Sequence, residues 1–340
     1  MAASTPTSRP NPEHIFNTMI AFQETEALKA AIDLDIFTAI ADGADTAASL
    51  AAKAVAAERG VRILCDFLTI RGFLAKVAGR YALTPESAIF LNRHSPACLA
   101  SMIDFLASPW SRRNFGTLTE AVRKGGTASE TGDHTKPNEE IWVNFARSMA
   151  PLTVPAAEFI ADLTGAAEGK PCKVLDVAAG HGMFGITVAK RNPNARIVAV
   201  DWPAVLEVAK ENAVKFGVGD RYTARPGSAF EVGFGEGYDC VLLTNIFHHF
   251  DMPTCEKLMR RVHAALKAGG KAITLEFVPN EDRVTPPMAA AFSLVMLAGT
   301  DAGDAYTFAQ YENMFGTAGF VKTTLHSVPD VPQQVLVTET

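Results

Sequence analysis

From Lys173 onward the chain alternates short apolar runs with longer stretches of helical periodicity. The runs are "KVLDVAA", "ARIVAVD", "RYTARPGS", "YDCVLLTN" and "GKAITLEFV", and helical patterns fill residues 184–191, 203–216 and 253–267 between them. This alternation predicts an α/β unit built on a parallel sheet. Two strand-like runs, "GFVKTTLHSV" and "QQVLVTET", follow close together and predict an antiparallel hairpin at the sheet edge. Before Lys173 the pattern is different. "ETEALKAAIDLDIFTAIA" places apolar residues at helical spacing. The segment after it predicts helix, turn, helix and a small hairpin with its tip at Gly79-Arg80, the outline of a winged helix. The expected division is a frayed tail over 1–12, a winged-helix domain over 13–106, helices over 107–168 with a loop around "KGGTASETGDHTKPN", and the α/β domain over 169–340.

Composition narrows the function classes. With 340 residues, 48% hydrophobic and 20% charged, the chain is long enough for two domains with cores of their own. A net charge of −6 argues against nucleic-acid binding, which favours a basic excess or stripe. No apolar run of transmembrane length and no basic-then-apolar leader is evident, so a cytoplasmic protein is expected. The five cysteines, Cys65, Cys98, Cys172, Cys240 and Cys255, form no CxxC pair, and no zinc or disulfide framework is expected.

The strongest chemical signal is "VLDVAAGHGMFG", residues 174–185. A strand reaches Asp176, and small residues run to Gly180 and Gly182 before a helix begins. A glycine-rich turn lets a ligand approach the backbone, and the helix start offers free N–H groups. The next strand ends in Asp201, whose carboxylate can accept both hydroxyls of a ribose. These features fit any nucleoside-containing cofactor, and the glycines alone fit a tight strand–helix turn. The spacing Asp-x-Ala-x-Gly-x-Gly differs from a dinucleotide GxGxxG. An acid before the turn suits an ammonium or sulfonium group and repels a pyrophosphate, which favours S-adenosylmethionine over NAD.

On these motifs the chain resembles class I S-adenosylmethionine-dependent methyltransferases, and more narrowly the small-molecule O-methyltransferases typified by the caffeic acid and hydroxyindole enzymes. The similarity runs from about residue 14 to 338. "VLDVAAGHG" matches the family's glycine-rich motif and "VAVDWP" its ribose-binding segment. The resemblance implies a cofactor site of Asp176, Ala178, Gly180, Gly182, Asp201 and Trp202, with Asn245 beside it. "RPGSAF" lies where the family holds the adenine, which brings in Gly227, Ser228, Ala229 and Phe230. The family usually has an acid at the Ser228 position and a bulky apolar residue at the Ala229 position, so Phe230 is expected to supply part of the contact.

The same resemblance gives a meaning to the paired histidines of "IFHHFD". The family has His-Asp-Trp here and uses that histidine as general base, which places His248 in the role, His249 at the usual Asp and Phe250 at the Trp. The chemistry is sound: a phenol titrates at about 10, and a histidine near 6.5 can take its proton as the methyl transfers. The plainer alternative is a structural pair, one histidine capping the helix that starts near Pro253. A metal pair is not expected, since neighbours in extended chain point to opposite sides. Of the two acids with which the family orients its base, one matches Glu276. The other falls at Ala305, with Asp304 and Tyr306 as possible substitutes, and the family lysine near the cofactor falls at Thr244.

"EEIWVNFARSMAPL" puts Trp142, Phe145 and Met149 on one helical face, and "PPMAAAFSLVMLAGTD" puts Phe292 and Met296 one turn apart. Such stripes are by default core. In the resembling family these helices wall the acceptor pocket, which makes these five residues and Thr300 candidate lining for a flat, apolar, aromatic acceptor. The winged helix contains Lys53, Arg59, Arg62, Arg71, Lys76 and Arg80, yet its "ERGVRILCDFLTIRGFL" helix is mostly apolar, which favours a protein contact over phosphates. The resemblance implies homodimerisation through this domain. Two other classes stay open at the level of sequence: a DNA-binding regulator that senses the cofactor, and a family member that binds the cofactor without methylating, acting as decarboxylase or cyclase.

Overall fold

The structure, a computed structural model, describes residues 10–129 and 139–340. The expected tail lies mostly outside the described residues, as does the end of the "KGGTASETGDHTKPN" loop. The chain divides into two compact units, one running to Ile103 and one from Asp104.

The first unit is helical up to a two-stranded hairpin of β1 (Leu74–Val77) and β2 (Arg80–Leu83). Val77 pairs with Arg80, so the tip is Ala78-Gly79, one residue earlier than the sequence predicts. Both tip residues have positive φ, 49° and 78°, the backbone that a two-residue hairpin loop with native strand twist demands. The helix Glu58–Ile70 buries Val61, Cys65 and Leu68 on one stripe. The cations around it are matched by acids: Arg62 and Lys76 meet Asp66, Arg71 meets Glu24, and Arg80 meets Asp45. A DNA backbone would have to compete with these carboxylates, which weighs against the regulator reading. The helix Glu13–Ile20 buries none of its residues, and Ile15, Phe16 and Met19 are each at least 60% exposed.

The second unit holds a seven-stranded sheet of β3 (Cys172–Val177), β4 (Ala195–Asp201), β5 (Tyr222–Pro226), β6 (Tyr238–Thr244), β7 (Leu266–Glu276), β8 (Lys322–Ser327) and β9 (Gln334–Glu339). The spatial order is β5-β4-β3-β6-β7-β9-β8. The first five strands are parallel; β9 runs antiparallel to β7 and to β8, so it alone is reversed in the sheet. The chain winds outward from β3 to β5 and then returns to the other side of β3 with β6. That reversal opens a crevice beyond the carboxyl ends of β3 and β6, where open α/β sheets hold ligands.

Alternation along the strands divides the core into two layers. Val174, Ile197, Leu242 and Ile273 face the helices Val154–Leu163, Met183–Arg191 and Pro203–Lys215, packing with Ile160, Phe184, Ile186 and Leu206. Leu175, Val177, Val241 and Leu243 face the helices Met252–Ala265 and Phe308–Thr317, packing with Leu258, Met259, Tyr311 and Phe315. Among the described residues no helix is long and apolar enough to cross a membrane. Phe315 is fully buried and anchors its helix to the sheet. Phe315→Ala is expected to lower unfolding stability by about 3–5 kcal/mol, read as a shift in the urea midpoint. A loss under about 1 kcal/mol would mean that this layer is not close-packed.

Candidate active site

A cavity of about 180 Å³ lies in the crevice of the second unit. Of the expected cofactor residues it is lined by Ala178, Gly180, Asp201, Trp202, Gly227, Ser228, Ala229, Phe230 and Asn245. His249, Trp142 and Phe145 complete much of the wall with Phe250, at the family Trp position, and Val200, Val205 and Ile246 join them without a sequence signal of their own.

Asp201 ends β4 with both carboxylate oxygens held by backbone donors. Gly180 N donates to Oδ2 at 2.8 Å, and Trp202 N donates to Oδ1 at 2.7 Å. Burial nevertheless raises its pKa to about 6 against these two bonds, and its remaining surface faces the cavity. The glycine loop gives the close approach a nucleoside needs, with Ala178 and Gly180 at φ 55° and 56°. Phe230 stands edge-on to Phe250 at 4.9 Å, so an apolar wall stands beside Ser228 and Ala229.

Asp176 and Gly182 are not part of the lining. Period-two alternation turns Asp176 under the loop, where it is fully buried and accepts from Gly185 N at 3.2 Å. It therefore braces the loop from below and does not open onto the cleft. Gly182, at φ 75°, starts the helix Met183–Arg191. His181 is also buried, accepts from Met183 N through Nδ1 at 3.1 Å, and is lowered by desolvation to about 4.

The paired histidines occupy a short turn, Phe247–His249, immediately after β6. Neither caps the next helix, because Asp251 does so by accepting from Thr254 N at 2.9 Å. His248 is buried, with Nδ1 2.5 Å from Glu276 Oε2. The second Glu276 oxygen accepts from Phe247 N at 2.8 Å. His249 turns to the cavity, edge-on to Trp142 at 5.4 Å. The acid missing at Ala305 is not replaced by its neighbours. Asp304 is paired with Arg283 at 3.2 Å, and the Tyr306 hydroxyl donates to Phe250 O at 2.6 Å.

The expected acceptor residues separate into two groups. Trp142 and Phe145 line the cavity, in edge contact with each other at 5.7 Å. Phe292 is edge-on to His248 at 4.8 Å and stacked on Phe277 at 4.0 Å. Met149 is half-buried and outside the lining. Met296 and Thr300 are buried, and the Thr300 hydroxyl donates to Met296 O and accepts from Gly303 N. Thr300 thus supports the loop beneath the histidines. Sequence reasoning missed Gly303, where a Cβ would lie 2.1 Å from His248 O, so only a glycine lets the chain pass there. Among the described residues no group of three or more His, Cys, Asp or Glu side chains is placed to hold a metal ion.

Comparison with known proteins decides the family. A profile of the O-methyltransferase domain matches residues 163–321, and one of the O-methyltransferase dimerisation domain matches residues 16–93. A candidate O-methyltransferase from Nostoc punctiforme PCC 73102 has a crystal structure 51% identical to the chain, with a TM-score of 0.92, covering 98% of this chain and all of the other. The chain belongs to the O-methyltransferase family. As a member it is an S-adenosylmethionine-dependent O-methyltransferase. The 3-hydroxy-5-methyl-1-naphthoate 3-O-methyltransferase of Streptomyces sahachiroi is 27% identical over 323 residues, 93% of this chain and 92% of that protein. Human N-acetylserotonin methyltransferase, solved in complex with SAM, shares the fold at a TM-score of 0.84 and 22% identity, covering 99% of each chain.

The buried ionisable groups set a pH dependence. Desolvation raises Asp176 from 3.8 to about 7, against the Gly185 hydrogen bond and with the help of the Asp201 charge. The folded chain keeps a proton there that the unfolded chain has already released. Stability from this group is complete below the unfolded value of 3.8 and is lost as pH rises through about 7. His181 acts in the opposite sense: its contribution is present above 6.5 and lost as pH falls through about 4. Asp176→Asn stays neutral and keeps an oxygen for Gly185. Its Tm relative to the parent is expected to improve between about pH 4 and 7 and to level off above that. Parallel Tm profiles would show that Asp176 is ionised in the fold throughout.

Proposed function

We propose that the enzyme methylates a hydroxyl group of a small aromatic acceptor, with His248 as general base and Glu276 as the group that orients it. The observation that carries this reading is the buried 2.5 Å contact between His248 Nδ1 and Glu276 Oε2. A carboxylate only accepts, so the proton of the neutral imidazole sits on Nδ1 and the lone pair on Nε2. Phe247 N fixes the other carboxylate oxygen, which holds the turn and the ring together. Phe292 limits the tilt of the imidazole from the side.

The cleft fits S-adenosylmethionine on its own chemistry: a carboxylate held for a diol, a glycine loop open to close approach, and an apolar wall for a purine. When bound, S-adenosylmethionine supplies an electrophilic methyl, the C–S bond breaking with its electron pair left on sulfur as the C–O bond forms. The residues of the chain do the rest. His248 Nε2 takes the acceptor proton, Glu276 stabilises the imidazolium that results, and Trp142 and Phe145 hold the aromatic ring and exclude water. Asp304 and Tyr306 are engaged elsewhere, so Glu276 carries the orientation of the base. The unpartnered apolar face of Glu13–Ile20, in a domain matched by a dimerisation profile, supports a homodimer.

His248→Ala should lower kcat by about 10²–10⁴ for a phenol protonated at neutral pH, with the cofactor-induced rise in Tm intact. Glu276→Gln should lose less. Labelled methyl must appear in the acceptor: cofactor binding without label transfer to any phenol would support the non-methylating alternative. Unchanged kcat in both variants would remove the base from the mechanism.

Light scattering is expected to report a dimer at micromolar concentration. Ile15→Glu combined with Met19→Glu should shift that dimer toward monomer. A parent chain that is monomeric from the outset would refute the assembly.

A further inference from the structure

Under the glycine loop two buried polar atoms have no hydrogen-bond partner in the protein, Asp176 Oδ1 and the Tyr222 hydroxyl. Strand register brings their residues together. Val174, Ile197 and Tyr222 lie abreast across β3, β4 and β5, and Asp176, Ala199 and Ala224 form the next row. All six side chains project from the same face of the sheet. The small Ala199 and Ala224 leave room for the tyrosine ring to lean toward the loop. Its hydroxyl stops 2.6 Å from where a Cβ on Gly182 would be. Three residues on, a Cβ on Gly185 would lie 2.9 Å from Asp176 Oδ2. One helical turn therefore rests on both groups, and Gly182 and Gly185 are what admit them.

The loop above needs such a support. Ala178 is held at φ 55°, a conformation that costs an L-residue energy, between strand and glycines that have no conformational preference of their own. Burial holds the Tyr222 phenol well above its ordinary pKa, and the Asp176 and Asp201 charges add to this, so it keeps its proton as a permanent donor. We propose that Tyr222 is a positioning residue for the cofactor: its hydroxyl reaches Asp176 Oδ1 across one buried water, and this link holds residues 178–182 in the shape that binds S-adenosylmethionine. The inference rests on the cofactor reading given above. It concerns the underside of the loop, which does not line the cavity.

The test is Tyr222→Phe, which removes one oxygen and keeps the ring. KM for S-adenosylmethionine and the calorimetric Kd for S-adenosylhomocysteine should each rise about five- to tenfold, with kcat at saturating cofactor unchanged. Tyr311→Phe is the control. That hydroxyl is likewise buried and without a partner in the protein, but it lies in the layer on the other face of the sheet. Its removal should leave cofactor affinity alone. Unchanged KM and Kd in Tyr222→Phe, with a higher Tm, would overturn the proposal by showing an idle hydroxyl whose burial only costs stability. A fall in kcat at unchanged KM would also overturn it. If the parent protein itself fails to bind S-adenosylhomocysteine, the cofactor reading is wrong, and the inference falls for that separate reason.

Discussion

A fully buried carboxylate is tolerable only when donors meet it, and the site depends on that constraint at Glu276. The residue ends β7, with no exposed surface, and its oxygens are met from the turn that follows β6: one by the amide of Phe247, one by the imidazole of His248. The link works because β6 and β7 pair in parallel register, Thr244 beside Leu275. A slip of one residue would turn Glu276 to the opposite face and leave both donors without an acceptor. The geometry of the His248–Glu276 pair is thus a property of the central sheet more than of the turn that displays it. Thr300 and Gly303 act at the same point from below, letting a second segment pass within contact of the histidine backbone.

Periodicity in the sequence was enough to place the strands and most helices of the second unit, since the central strands β3, β6 and β7 carry continuous apolar runs that end up buried. The hairpin tip was misplaced by one residue because nothing about Ala78 signals a positive φ. The site was legible at the level of residues and less so at the level of directions. The motif identified Asp176 as important, but whether its carboxylate opens onto the cleft depends on the alternation of β3 and on an amide nine residues away. The gap at Ala305 was visible in the sequence. That Asp304 and Tyr306 do not fill it depends on Arg283 and on the Phe250 carbonyl, contacts across 21 and 56 residues that no local pattern encodes. Tyr222 and Gly303 carry no motif at all, and only register and a close backbone approach make them visible.

The glycine loop and the histidine turn differ in how they are stabilised. The histidine turn is held by the His248–Glu276 contact and by packing. The loop combines a positive-φ alanine, two carboxylates whose burial favours protonation, and a histidine whose burial opposes it. Only Asp201 of the two carboxylates faces the cleft, so a diol placed there meets Asp201, while Asp176 is answered from within the fold.

The order of strands has a consequence for biosynthesis. β9 lies between β7 and β8, and its first residue, Gln334, pairs with Glu276. A nascent chain has released β3 through β7 from the ribosome long before residues 334–339 emerge. During that interval β7 is an exposed edge, apolar on both faces and ending in an acid that its neighbour does not yet shelter. Such an edge invites pairing with other chains. Among the described strands, β9 is thus made after both of the strands it joins, and the sheet is continuous only once it has paired.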